Sequence, residues 1–93
     1  MGGYKASYAT KVITTNTTIQ RDQFSCIVFD NVGDSPIKVN GIFLNAGTTA
    51  QFNEDPGTVI NTDFLVEFTP LNPGDLQMVN VVMTYYKETK KFD

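Results

Sequence analysis

Histidine and tryptophan are both absent from this chain, and Cys26 is its only cysteine. Without histidine, the commonest general base, the histidine-dependent serine and cysteine triads and histidine-ligated zinc are all excluded within one chain. A lone cysteine forms no intrachain disulfide framework and no cysteine-based metal site. Its setting, Phe24-Ser25-Cys26-Ile27-Val28-Phe29, is apolar, whereas a reactive thiol needs an electropositive and accessible surrounding, so Cys26 reads as a buried, inert side chain. Positive charge is scarce as well: seven Lys and Arg stand against ten Asp and Glu, for a formal charge of −3. A nucleic-acid partner is therefore not expected, because phosphate neutralisation needs a concentrated basic face. No hydrophobic run reaches bilayer length, no N-terminal apolar signal segment is present, and Ala6 stands where myristoylation wants Ser or Thr. The expectation is a protein made in the cytoplasm with no membrane partner.

What the chain does have is the material of a small all-β core. Hydrophobic residues make up 41% of its 93 positions, with seven Phe and four Tyr, enough for one two-layer domain. The strongest local signal is Asn40-Gly41, set between the apolar runs Ile37-Lys38-Val39 and Ile42-Phe43-Leu44. Both central residues of a type I′ turn need positive φ, which Gly adopts freely and Asn more readily than most, so the chain doubles back here. Further turns are expected at 31–36, at Ala46-Gly47, at 54–57 and at 70–75.

Between those turns the alternation is that of strands. Tyr8 to Gln20 is rich in Thr and β-branched residues and is broken near Asn16. Gln23 to Asp30 is the clearest core strand, with Phe24, Cys26 and Val28 expected on one face and Ile27 and Phe29 on the other. Val59 to Thr69 alternates Ile60, Thr62, Phe64, Val66 and Phe68 against Asn61, Asp63, Leu65 and Glu67. Leu76 to Lys87 carries Val79, Val81, Met83 and Tyr85 on one face. The fold expected is an all-β, compact single-domain β-sandwich, jelly-roll or immunoglobulin-like, of about seven short strands. Residues 8–87 form the domain, between a flexible N-terminal arm over 1–7 and a basic C-terminal tail over 88–93.

Charge divides along the chain. Residues 1–20 hold Lys5 and Lys11 and no acid. Residues 21–76 hold Arg21 and Lys38 against Asp22, Asp30, Asp34, Glu54, Asp55, Asp63, Glu67 and Asp75. Basic ends and an acidic body suit contact between neighbouring subunits. The apolar two-faced strand adds Phe24, Ile27 and Phe29 as interface candidates, with Tyr85, Tyr86, Lys90 and Lys91 from the C-terminal segment. Alternative chemistries are poorly served. The acidic turns Asp30…Asp34 and Glu54-Asp55 follow no known calcium-loop pattern. Asp63 and Glu67, placed on one strand face, lack the cleft that a carboxylate pair needs for glycoside hydrolysis. No catalytic residue, metal or cofactor is expected.

The runs 24–33, Ile37 to Thr48 and Phe64 to Phe68 resemble small virion proteins of tailed bacteriophages. These are β-sandwich modules that serve as capsid decoration, auxiliary capsid or head-fibre proteins. The likeness spans residues 24–86, with Ala46-Gly47 where such proteins usually have Pro-Gly. It implies a non-enzymatic structural protein of the virion, self-associating as a homo-oligomer, a trimer in preference, and docking on partners such as the major capsid protein. The other reading is a stand-alone sandwich that recognises a glycan or a protein through its loops.

Overall fold

A computed structural model of the chain describes residues 3–89. Eight strands are present: β1 (Gly3–Ile13), β2 (Thr17–Ile19), β3 (Phe24–Asn31), β4 (Ile37–Val39), β5 (Ile42–Leu44), β6 (Thr49–Asn53), β7 (Phe64–Phe68) and β8 (Val79–Thr89). They form two antiparallel four-stranded sheets in the orders β1-β8-β3-β6 and β2-β7-β4-β5. The pairs Ile37↔Leu44, Cys26↔Asn53, Thr17↔Val66 and Ile13↔Val79 all straddle Asn40-Gly41. Residues 3–89 are thus one long hairpin bent about that turn and rolled into two layers, the winding of an eight-stranded jelly roll.

Asn40 and Gly41 have φ of 50° and 82°, as a type I′ turn requires. Asn40 does more than turn the chain. Its backbone N–H donates to the Leu65 carbonyl (2.9 Å), its Nδ2 donates to the Asp63 carbonyl (3.1 Å), and its Oδ1 accepts the Leu65 N–H (2.7 Å). The hairpin tip is thereby fastened to the start of β7.

The two inner faces interlock through aromatic rings. Phe64 of one sheet sits among Phe29 (5.5 Å), Phe52 (5.1 Å) and Phe24 (6.4 Å) of the other, each such pair contributing about 0.5–1.5 kcal/mol beyond burial. Ile13, Ile19, Ile27, Ile37, Val39, Leu44, Ile60, Val66, Val79, Val81 and Met83 complete the buried set. Asn31, fully buried, closes the opposite end: its Nδ2 donates to the carbonyls of Ser35 and Leu44, and its Oδ1 accepts the Gly33 N–H.

The break expected near Asn16 is present at Thr14–Asn16, because β1 and β2 join different sheets; Asn16 Oδ1 caps β7 by accepting the Phe68 N–H (2.8 Å). Three local departures from the sequence expectation have identifiable causes. Residues 59–63 are not strand, since Ile60 turns into the core with its N–H on the Phe24 carbonyl (2.9 Å). The register of β3 on β8 slips between Phe24 and Cys26, so the extra residue Ser25 brings Phe24 to the same face as Ile27 and Phe29. Finally, residues 3–7, expected as a flexible arm, are strand paired with Tyr85–Thr89, and Glu88 and Thr89 of the expected tail end β8. Beyond Phe24↔Tyr85 the pair β1/β8 continues as a two-stranded ribbon, which draws the molecule out to 61 × 19 × 17 Å.

Gly41→Val is expected to destabilise the domain by about 1–3 kcal/mol. No atom lies within 4 Å of a Cβ at Gly41, so backbone strain alone carries this cost. Thermal denaturation checks it, and a melting temperature within a degree or two of the parent contradicts the role given to the turn.

Candidate functional site

The interface residues expected from sequence separate once the sheets are formed. Phe24, Ile27 and Phe29 are fully buried in the chain's own core. This corrects the expectation: the bulge at Ser25 turns Phe24 inward, and all three rings and branches are spent on the inter-sheet layer. Tyr85 lies on the inner face, edge-on to Phe24 (6.1 Å), and its hydroxyl donates to Asp22 (3.1 Å). Loss of water around the phenol, and then the Asp22 carboxylate, raise its pKa above the usual tyrosine value. Tyr86 lies on the outer face, edge-on to Tyr4 (6.4 Å). Lys90 and Lys91 lie outside the described residues. Asn40 and Gly41 occupy the tip of the central hairpin, at the ribbon end of the sandwich.

The outer face of the β1-β8-β3-β6 sheet carries little charge. Val12, Thr10, Tyr8 and Ala6 of β1 stand beside Val82, Thr84 and Tyr86 of β8 and Val28 and Cys26 of β3. Tyr8 is 68% exposed and Val12 63%. Cys26 is buried on this face, with Gln51 Nε2 3.6 Å from its sulfur. The sheet's inner face turns basic where it leaves the sandwich, for Lys5 lies directly across from Lys87, a like-charge pairing that weakens a ladder.

Among the described residues, no strand pairs with the outer side of β1 or of β6, the two edges of this sheet. Along β6, the bonds Glu54 N–H to Ser25 carbonyl (2.8 Å) and Asn31 N–H to Thr48 carbonyl (3.0 Å) fix the alternation. Ala50 and Phe52 bond β3, while the N–H and C=O of Thr49, Gln51 and Asn53 point away from it. Along β8, the bond from the Val32 N–H to the Met78 carbonyl (3.1 Å) makes Asn31↔Val79 a non-bonded pair. Val79 therefore bonds Ile13, and Tyr4, Ala6, Tyr8, Thr10 and Val12 direct their backbone groups to the free edge of β1. An uninterrupted edge of this length is a template for pairing.

Next to the β6 edge, where the two sheets part, lies a groove of about 450 Å³. Ile42, Phe52, Ile60 and Phe64 form its floor, and Gln51 and Glu54 stand on its rim. Ile42 is 63% exposed, an apolar side chain that the folded chain leaves uncovered.

The candidate reaction chemistries find no such convergence. Among the described residues no group of three or more His, Cys, Asp or Glu is placed to hold a metal ion. Asp30 accepts a bond from Thr49, its cross-strand partner on β6, and Asp34 one from the Leu76 N–H, which ties its turn to the segment before β8. Asp63 accepts from the Arg21 side chain (3.0 Å) and backbone N–H (2.8 Å), and these bonds hold its carboxyl below the usual range. Glu67 lies across the ladder from Lys38. A depressed carboxyl is the opposite of what a general acid needs. The open edges and the groove were not legible beforehand, because strand order decides which edges stay free. The basic N-terminal segment and the strand signals were their only trace. Comparison of the chain with protein-family models, with curated proteins and with solved structures gives no match.

Asp63 and Asp75 both have lowered pKa values, Asp75 chiefly through its bond from the Ser35 hydroxyl. The unfolded chain then takes protons first on acidification, so their stabilisation is intact above about pH 4 and is lost as pH falls through the lowered folded values. Melting temperature measured from pH 6 to pH 2 should show a shallower acid limb in Asp63→Asn than in the parent. Superimposable limbs contradict the role given to the Arg21–Asp63 pair.

Proposed function

We propose that this chain is a non-enzymatic assembly module that self-associates and docks on a larger structure. The observation that carries the reading is the sheet with two open edges, one of them an eleven-residue strand, β1, running on into a protruding ribbon. Soluble monomers blunt such edges with short strands, charged side chains, bulges, proline or a covering loop. Here β1 holds Lys5 and Lys11 at inner-face positions but has no bulge and no proline, and its outer-face side chains are uncharged; an apolar groove lies beside the other edge. The dispersed carboxylates and the missing histidine support a binding role over a catalytic one.

The larger structure is a bacteriophage particle in this reading, with the chain as a decoration or auxiliary protein on the capsid surface. Support comes from the resemblance of residues 24–86 to small virion sandwiches and from a jelly-roll winding, which viral capsid domains share with lectins and cupins. A closed homo-oligomer, a trimer in the first instance, suits a part repeated over a symmetric shell. The reading by loops has less to rest on, since Asp30, Asp34 and Asn40 are engaged within the chain.

Light scattering over micromolar to millimolar concentration should show a mass near three times that of the chain, and a strict monomer throughout contradicts self-association. Mass spectrometry of density-purified particles from cells carrying the gene should find the chain in a fixed ratio to the main shell protein. Its absence from such particles overturns the placement.

A further inference from the structure

We infer that copies of this chain join edge to edge, β1 of one copy adding as a fifth strand beside β6 of the next. The inference rests on the self-association proposed above and names its contact. Three observations favour this pairing.

The first is parity. Hydrogen-bonded pairs in an antiparallel ladder place both side chains on the same face. The edge-facing residues of β6 (Thr49, Gln51, Asn53) and of β1 (Ala6, Tyr8, Thr10) both belong to the outer face. The sheet order makes β1 and β6 run oppositely, so two copies in the same orientation meet antiparallel, outer face continuous with outer face.

The second is charge. Residues 1–20 contain Lys5 and Lys11 and no acid, whereas the groove rim carries Glu54, followed by exposed Asp55. Pairing Gln51 with Tyr8 of the next copy sets Glu54 across from that copy's Lys5, the lysine that faces Lys87 within its own ribbon. The competing two-fold contact, β1 on β1 about Tyr8, would instead put Lys5 against Lys11, a like-charge pair. The third is cover. In the favoured register Ala9 and Ser7 of the incoming strand lie on the groove side, small enough to settle over Ile42, Phe52 and Phe64. Backbone bonds with alternate side chains seated in a groove are the usual mode of strand addition. Head-to-tail contacts of this kind close into rings when the rotation permits.

The test uses two full-length variants and sedimentation velocity. Gln51→Pro and Tyr8→Pro each remove an N–H that points to an open edge and makes no bond in the folded chain, a placement that edge strands tolerate. Each variant alone should associate at least tenfold more weakly than the parent. An equimolar mixture should form a heterodimer, since the intact β1 of one meets the intact β6 of the other. Loss of assembly in Tyr8→Pro only, with no rescue on mixing, means a two-fold β1 contact and overturns the inference. Parent-like assembly of both variants overturns it too, while leaving self-association standing; a parent that never associates removes both. Should either proline variant lose its circular-dichroism signature, Ile42→Lys, at an exposed groove position, serves instead. It should weaken association about tenfold, and an unchanged constant overturns the inference.

Discussion

Everything in this fold depends on the reversal at Asn40-Gly41. Each ladder among the described residues, β4 to β5 and β7, β3 to β6 and β8, β2 to β7 and β1 to β8, is a pairing across that one turn. A hairpin tip free in solvent would leave the register of the outer pairs open to slippage. The three hydrogen bonds from Asn40 to the Asp63–Leu65 segment prevent this by tying the tip to the layer's own third strand. The consequence runs outward: once β4 and β7 are locked, Phe64 is held beneath Phe24, Phe29 and Phe52, and the second sheet is placed over the first.

The two sheets then take different parts. The β2-β7-β4-β5 sheet is made of strands of three to five residues, and its edges are short. The β1-β8-β3-β6 sheet has two eleven-residue strands that outrun the core. A two-stranded ribbon gains little stability by itself, and this one sets Lys5 against Lys87. Length beyond what the core needs, with a like-charge pair retained in it, is the feature on which the proposed assembly role draws.

Much of this was readable from the residues. The all-β class, the turn at Asn40-Gly41, the spans of β4 and β5 and the inward set Val79, Val81, Met83 and Tyr85 follow from local periodicity and turn chemistry. The rest depended on non-local facts. Ser25 gives no local sign of a bulge, which exists only in the pairing of β3 with β8; without it Phe24, Ile27 and Phe29 read as a two-faced strand in want of a partner. Residues 3–7 look like an arm because their side chains are small, polar or aromatic in no apolar rhythm, and they are strand because β8 is long enough to pair them. Open edges are a property of strand order, and the groove beside β6 is a property of where two sheets diverge, so neither leaves a motif.

In the proposed assembly, the backbone groups left free along β1 and β6 are satisfied by another copy. Amide hydrogen exchange, followed residue by residue at low and at high chain concentration, tests it most directly. The account predicts that the amides of Ala6, Tyr8, Thr10 and Gln51 exchange rapidly in dilute solution and become protected together as concentration rises, while core amides such as Val81 stay slow throughout. Edge amides that exchange at the same rapid rate at every concentration at which the chain is associated would contradict it.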